Sequence, residues 1–397
     1  MTRSAAERDA EDALAAFAAD FVRSDDVVAY LDGNSLGRPL IASRERITRF
    51  VDEQWGARLI RGWDEEWLEL PLHIGDGLAR VVLGAAAGQV TIGDSTTVLL
   101  YKLVRAAVAA RPGRPEIVID RDNFPTDRYV VEGIATELGM TVAWIDAGDA
   151  VTVDAVSAAV SDRTAVVVLS HVAYRSGYLA DAAAITAVAH SVGALLLLDL
   201  CHSAGSVPIQ LDSWGVDLAV GCTYKYLNGG PGSPAFAYVR QELQSTIRQP
   251  IQGWIGSAAP FEMGQGYAPA PGIRGVLSGT PPVLGMLAMQ DMITLIERVG
   301  LLAVRSKSVQ LTEFAIELAD ELLPDAVLAT PRDPDLRGSH ITLDHPRFAA
   351  LVAPLWARGV LPDFRRPSGL RLGLSPLSTT FAEVDLGVRA IAEELAR

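Results

Sequence analysis

The sequence predicts an α/β protein: a large domain with a mostly parallel sheet between helices, followed by a smaller C-terminal α+β domain. Three observations support this. Short apolar runs alternate with helical patterns through residues 90–239, which calls for parallel strands with helices on both faces. The residues able to do chemistry fall at the carboxyl ends of those runs, where open α/β sheets hold ligands. A loop-rich stretch (248–283) then gives way to a long helical pattern (284–322) and a second, shorter set of strands and helices. The expected divisions are an N-terminal segment (1–56) packing with the small domain, a large domain (57–283), and a linking helix with the small C-terminal domain (284–397).

Taken in order, residues 5–22 read as an amphipathic helix, with Leu14, Phe17, Phe21 and Val22 at helical spacing. Tyr30–Gly37 reads as a short strand entering a Gly/Asn turn, and residues 41–60 as a further helix. Trp63 and Trp67, four apart among acids, are expected on one buried helix face. Residues 90–102 read as a strand-to-helix switch, with Gly93 permitting the turn and Asp94 or Ser95 as cap. The amides and hydroxyls of Ser95, Thr96 and Thr97 then stand at a positive helix end, suited to an ordinary cap or to a phosphate. Glu116–Asp120 is a strand, and Asn123-Phe-Pro-Thr-Asp127 a loop into a helix at 128–138, with Phe124 as a helix-entry staple. Strands follow at Thr141–Ile145, Thr164–Ser170 and Ala194–Asp199, alternating with helices at 151–160 and 181–192. The loop after Val239 carries Trp254 and Thr280, and loops this long inside an enzyme are usually functional. The last segment holds His340–His345, a helix near 347–358, an exposed basic loop Phe364-Arg-Arg-Pro367, Arg371–Leu374 and a closing helix.

Composition narrows the function. The 397 residues are 49% apolar, with a formal net charge of −14. That opposes nucleic acid or an anionic membrane as the main partner, while leaving room for a local basic phosphate pocket. Two cysteines, Cys201 and Cys222, imply no disulfide framework and fit a reducing cytoplasm. The N-terminus lacks the apolar core of a signal peptide, and no apolar run approaches the roughly 20 residues of a spanning helix. A soluble cytoplasmic protein is expected.

The chemistry centres on Gly221-Cys-Thr-Tyr-Lys-Tyr-Leu-Asn-Gly-Gly-Pro-Gly232. Lys225 is set between two apolar strand-like runs, where an ammonium is costly unless paired and a desolvated amine becomes a usable nucleophile. An isolated lysine at a strand end is ordinarily a surface residue. Upstream, however, the buried run Val192–Asp199 ends in a carboxylate, with His202 three residues on. An aspartate closing one strand and a lysine following the next is the layout of a pyridoxal 5′-phosphate site, the carboxylate holding the ring nitrogen protonated and the lysine carrying the aldehyde.

Four blocks, Ser170-His-Val-Ala-Tyr-Arg-Ser-Gly177, Asp199-Leu-Cys-His-Ser-Ala-Gly205, the Lys225 segment and Gly279-Thr-Pro-Pro282, resemble the kynureninase family. The likeness runs from Tyr30-Leu-Asp-Gly-Asn-Ser-Leu-Gly37 to Leu370-Arg371 and beyond. It implies the aspartate-aminotransferase-like fold (fold type I) and hydrolysis of the Cβ–Cγ bond of L-kynurenine or 3-hydroxykynurenine, giving anthranilate or 3-hydroxyanthranilate and L-alanine. It also implies a tryptophan-catabolic kynurenine-pathway role feeding NAD biosynthesis. The resemblance assigns Lys225, Tyr224 and Asp199 to catalysis. Thr96, Thr97, Tyr224, Trp254 and Thr280 fall to the cofactor phosphate, Phe124 and Asp127 to its ring, and His202 to a place against Asp199. Arg371 becomes the clamp for the substrate carboxylate, Asn34 and Ser35 lie at the active-site mouth, and Trp63 is near the substrate ring. Trp254 and Thr280 would serve the neighbouring subunit, making a homodimer with its sites at the interface.

Other chemistries fit less well. No zinc-like spacing supports His340, Asp344 and His345 as a metal site, so no metal is expected. Residues 229–232 are not a Walker loop, and no Gly-x-Gly-x-x-Gly joins an early strand to a helix. A cysteine desulfurase needs a mobile-loop cysteine, whereas Cys201 and Cys222 read as packed strand-end residues. Leu99, Ala173, Ile255, Ser257 and Ser378 depart from the family's pattern at positions expected to face the substrate. A different γ-oxo-α-amino acid, a transamination or a β-elimination therefore remains an alternative.

Overall fold

The structure is a computed structural model and describes residues 3–148 and 150–397; Met1, Thr2 and Asp149 lie outside the described residues. The chain opens with α1 (Ala5–Glu11) and a 3₁₀ turn (Ala15–Asp20), not the single helix expected over 5–22. The break is local: Asp12 is extended, its carboxylate accepting from Leu14 N and pairing with buried Lys307 of a distant helix. Strand β1 (Ala29–Leu31) follows, then α2 (Ile41–Arg49), which loosens into a wider-turned helix over Phe50–Gly56. Helix α3 (Leu70–Leu78) leads to β2 (Val90–Gly93) and α4 (Thr96–Ala109), capped by Ser95.

The alternating region then runs β3 (Glu116–Asp120), α5 (Pro125–Leu138), β4 (Thr141–Ile145), α6 (Val153–Ala159), β5 (Thr164–Ser170), α7 (Ala182–Ser191), β6 (Leu195–Asp199), α8 (Leu211–Trp214), β7 (Leu218–Gly221) and β8 (Ala235–Val239). Three of the expected strands match residue for residue. Helix α5 starts earlier than expected, because Pro125 occupies its first turn, where a missing N–H costs nothing. Asp127 is therefore a helical residue, not a loop residue.

The long pattern at 284–322 is two helices, α9 (Val283–Val299) and α10 (Leu301–Leu322), parted at Gly300 with φ of 86°. The chain finishes with β9 (Val327–Leu328), β10 (His340–Asp344), α11 (Phe348–Ala357), β11 (Val360–Arg365), β12 (Gly369–Gly373) and α12 (Phe381–Ala396). Phe364 and Arg365 thus close a strand, and only Arg366 and Pro367 of the expected loop are exposed.

Two sheets result. The seven-stranded sheet has the order β2-β8-β7-β6-β5-β3-β4, parallel from β7 to β4 and antiparallel at β8 and β2. Its central strands Val166–Leu169 and Leu195–Leu198 are buried throughout, as continuous apolar runs covered on both faces should be. The five-stranded sheet has the order β1-β11-β12-β10-β9. It takes its edge strand β1 from the N-terminus, pairing parallel with β11. No helix among the described residues is long and apolar enough to cross a membrane.

Candidate functional site

The register of the large sheet brings the first elements together. Ser170 pairs with Asp199 across β5 and β6, and Asp199 with Val220 across β6 and β7. Three carboxyl ends therefore finish level, and the turn carrying Lys225 leaves from the last of them. That turn is held by its own hydrogen bonds: Asn228 N donates to Lys225 O at 3.0 Å and Gly229 N to Thr223 O at 2.8 Å. Thr223 Oγ1 bonds Pro234 O at 2.6 Å, fixing the turn to the start of β8. Gly37 N donates to Tyr224 O at 2.8 Å, and a β-carbon at Gly37 would lie 2.4 Å from Lys225 O. Only glycine lets the N-terminal segment come this close.

Lys225 is 8% exposed. Its Nζ is 3.1 Å from His202 Nε2, 5.9 Å from the Phe124 ring centroid and 6.0 Å from that of Tyr224. Phe124 is itself met edge-on by Tyr174 at 5.3 Å. His202, expected against Asp199, has the Lys225 amine and the His340 ring, 5.5 Å away, among its close partners. Burial, reinforced by Lys225 and Arg371, pushes His202 well below the usual histidine range. His340 is shifted the same way by burial, Arg371 and Lys225. Both rings are held neutral, so the lysine has a hydrogen-bonding neighbour rather than a competing cation.

Asp199 Oδ1 accepts from Cys201 N at 2.7 Å. Beside it, Asp127 is fully buried and pushed well above the usual carboxylate range by desolvation first and the Asp199 charge second. Asp127 Oδ2 and Asn123 Nδ2 are buried without hydrogen-bond partners among the described residues, while Asn123 Oδ1 accepts from Ser170 Oγ at 2.9 Å. Two facing carboxyl groups and an idle amide need a ligand that supplies a cationic N–H and a polar ring substituent. Those are the features of a protonated pyridine carrying a phenolic oxygen. The donor set fits pyridoxal 5′-phosphate.

The α4 N-terminus lies alongside. Ser95 Oγ accepts from Val98 N at 3.4 Å, Thr96 Oγ1 is 3.9 Å from Cys201 Sγ, and Thr97 is exposed. Tyr224 is half-buried and its phenol is pushed upward, mainly by desolvation, so it stays protonated. Both cysteines are buried and unbridged, Cys222 N donating to Cys201 Sγ at 3.2 Å.

Arg371 is 2% exposed, not a surface residue. It gathers the predicted mouth residues: Nη2 donates to Ser35 Oγ at 2.8 Å, and Nε to the Asn34 amide oxygen at 2.8 Å, with the amide turned so that its nitrogen donates to Asp32. Nη1 donates to Tyr174 O at 2.7 Å, and Asp363 forms an ion pair at 2.6 Å. Burial holds Asp32 up at about 6. Trp63 and Trp67 meet at 5.6 Å on one helical turn, as expected, and Trp63 also meets Trp254 at 6.3 Å. Trp254 also meets Phe261 at 5.8 Å, and Thr280 is exposed on the same long loop.

Of the five departures, Leu99 and Ile255 have no exposed surface and Ser378 is 1% exposed, so these do not face an open pocket as expected; Ala173 and Ser257 remain half-exposed. Asn123 and His340 were not assigned to this site from sequence. Asn123 had a signal, an amide at a strand end beside Phe124. His340 had none, since only the pairing of β10 with β12 brings it here. Among the described residues no cluster of three or more His, Cys, Asp or Glu is arranged to hold a metal.

Comparison with known proteins follows the same lines. Residues 304–391 match the family model for the kynureninase C-terminal domain, and residues 75–241 that for Cys/Met metabolism PLP-dependent enzymes. A kynureninase from Pseudomonas fluorescens is 40% identical over 98% of this chain and 94% of its own. One from Burkholderia pseudomallei (strain 1106a) is 39% identical over 95% and 91%. Among solved structures, the apo cysteine desulfurase from Thermococcus onnurineus NA1 superposes with a TM-score of 0.80 at 17% identity, covering 100% of this chain and 99% of that one. The Escherichia coli cysteine desulfurase CsdA does so at 0.78 and 20%, covering 96% and 98%. At such identities the structural likeness speaks for the fold alone.

Proposed function

The chain belongs to the kynureninase family, and on that premise we propose that it hydrolyses the Cβ–Cγ bond of L-kynurenine or 3-hydroxykynurenine, releasing anthranilate or 3-hydroxyanthranilate and L-alanine. The fold is that of the fold type I enzymes, and the cofactor is pyridoxal 5′-phosphate. The observation that carries this reading is the buried amine of Lys225 beside the Asp127–Asp199 carboxyl pair.

Lys225 would hold the cofactor aldehyde, Asp199 its ring nitrogen, and Asp127 and Asn123 its ring substituents, with Phe124 beside the ring. Ser95, Thr96, Thr97 and Tyr224 would hold the phosphate at the positive end of α4. When bound, the cofactor supplies an electrophilic carbon for the substrate amino group and an electron-accepting ring for bonds broken at Cα and Cβ. Lys225 Nζ, when not bonded to the cofactor, would take the Cα proton and return it, with neutral His202 in hydrogen-bond contact and adding no competing positive charge. Arg371 holds the α-carboxylate with Ser35 and Asn34. Three of its five N–H groups already serve Ser35, Asn34 and Tyr174 O, so the substrate carboxylate takes the second Nη1 N–H and displaces Asp363. Trp63 and Trp254 stand for the aryl end. The protonated Tyr224 hydroxyl hands a proton onward, and water attacks the γ-carbonyl.

Trp254 and Thr280 are assigned to the neighbouring subunit's cofactor, making the working unit a homodimer. The partition 1–56, 57–283 and 284–397 accords with β1 joining the small sheet. Two free buried thiols suit a reducing cytoplasm. The test is direct: L-kynurenine added to the holoenzyme should release fluorescent anthranilate, and borohydride should fix the cofactor to Lys225. Label on another residue overturns the site, and cofactor spectral changes without anthranilate overturn the substrate.

A further inference from the structure

We propose that the ion pair Lys102–Asp94 sets the affinity of the α4 N-terminus for a phosphate, by cancelling a carboxylate that would otherwise repel it. The proposal rests on the reading of that helix end as the cofactor's phosphate site. Asp94 stands between β2 and the Ser95 cap, in a left-handed conformation (φ 49°) uncommon for a residue with a side chain. Two peptide units separate it from Thr96, at most about 7.6 Å between α-carbons. A dianion on the amides of Ser95–Thr97 therefore comes within about one Debye length of the Asp94 charge at physiological salt. An unpaired carboxylate is the wrong neighbour for such a site.

Lys102 removes the conflict from behind. It has no exposed side-chain surface, and its Nζ donates to Asp94 Oδ2 at 2.5 Å and to Val276 O at 3.0 Å. It is the one charged residue on a face of α4 otherwise made of Leu99, Leu100, Leu103, Val104, Ala106 and Ala107. Packing does not call for a lysine here; leucine or methionine fills such a place without a buried charge. The charge is what Lys102 contributes. Its second bond fastens Val276, from which the chain runs to Ser278, whose carbonyl accepts from Ile255 N at 3.1 Å, and on to Thr280. One ammonium thus holds the phosphate cradle and the long loop in register. Lys102 is a positioning residue, acting on the phosphate through Asp94.

The experiment titrates apo-protein with pyridoxal 5′-phosphate and, separately, with pyridoxal, following absorbance. Lys102→Met should weaken the phosphorylated ligand at least ~10-fold while changing pyridoxal by less than ~2-fold. The double variant Asp94→Asn with Lys102→Met, which carries no unpaired charge, should recover to within ~3-fold of wild type. Equal weakening of both ligands, or a double variant as weak as Lys102→Met, overturns the proposal. If Lys102→Met does not fold, Asp94→Asn alone decides: it should bind the phosphorylated ligand at least as tightly as wild type, and weaker binding overturns the idea. A Thr96→Ala, Thr97→Val variant separates the two layers. An unchanged preference for the phosphorylated ligand there defeats the helix-end reading itself; a lost preference there with none lost in Lys102→Met defeats only the ion pair.

Discussion

His171→Phe should make the protein markedly less acid-sensitive without touching the cofactor face of the sheet. His171 follows β5, is 2% exposed, and packs its ring edge-on against Trp214 at 5.4 Å. Its Nδ1 has no partner among the described residues, so charging the ring inside the protein gains nothing. Burial first, and the charge of Arg305 second, push its pKa down to about 4. The sign follows from which state binds the proton. An unfolded histidine titrates near about 6.5, so between roughly pH 6.5 and 4 the unfolded chain holds more protons and stability falls as pH drops. Integrated from pH 7.5 to pH 5, that costs about 2 kcal/mol. Asp32 and Asp120, both raised to about 6 by burial, titrate with the opposite sign, but they are common to both proteins and cancel in the comparison. Urea unfolding of holoenzyme at the two pH values should show the variant losing about 2 kcal/mol less than wild type. Equal losses in the two proteins would refute the claim that His171 is buried neutral.

Lys225→Ala should lower turnover by at least ~1,000-fold and abolish the yellow lysine-bound cofactor band, read by absorbance and anthranilate release; a coloured, active variant sinks the assignment. Arg371→Lys keeps the charge but loses the fork, so kcat/KM should fall roughly 100-fold, chiefly through KM. A change confined to kcat would mean the guanidinium does not bind the substrate carboxylate. Gly37→Ala puts a β-carbon 2.4 Å from Lys225 O and 2.6 Å from Asn228 Cγ. It should cost about 1–3 kcal/mol in denaturant unfolding and lower kcat by shifting the lysine turn; an unchanged variant would show that this close approach is not needed.

How much of this was legible in the sequence depends on the range over which each feature is fixed. Strands such as Glu116–Asp120 and Thr164–Ser170 declare themselves because each is an uninterrupted apolar run bounded by turn residues. The placing of Asp199 and Lys225 was legible too, since one closes β6 and the other follows the neighbouring parallel β7 on its turn. Asn34 and Arg371 lie 337 positions apart and meet only because β1 enters the small sheet beside β11. Nothing near either residue encodes that. The contact between Trp63 and Trp254 is of the same kind. Helix ends failed where a single residue decides them: Pro125 moved Asp127 into a helix, and Gly300 cut one predicted helix into two.

The same geometry reweighs the substrate question. A residue without exposed surface presents nothing to a ligand, so Leu99 and Ile255 bear on specificity only through what they pack against. Leu99 belongs to the core beneath α4, with Leu103, Val168 and Val220, and Ser378 is sealed beside Phe21 and Leu377. Three of five departures are thereby changes in packing, where volume is the constraint and hydroxyl or amide chemistry at the ligand is not in play. Ala173 and Ser257 keep their exposure. Ala173 directly precedes Tyr174, whose carbonyl accepts from Arg371 and whose ring meets Phe124. A shorter side chain at 173 would remove a polar reach between the proposed carboxylate clamp and the proposed cofactor face, and Ser257 lies immediately after the Trp254–Gly256 turn. The alternative of a different γ-oxo-α-amino acid therefore reduces to two positions. Neither is among Lys225, Asp199 and Arg371, the residues proposed for the bond-breaking chemistry.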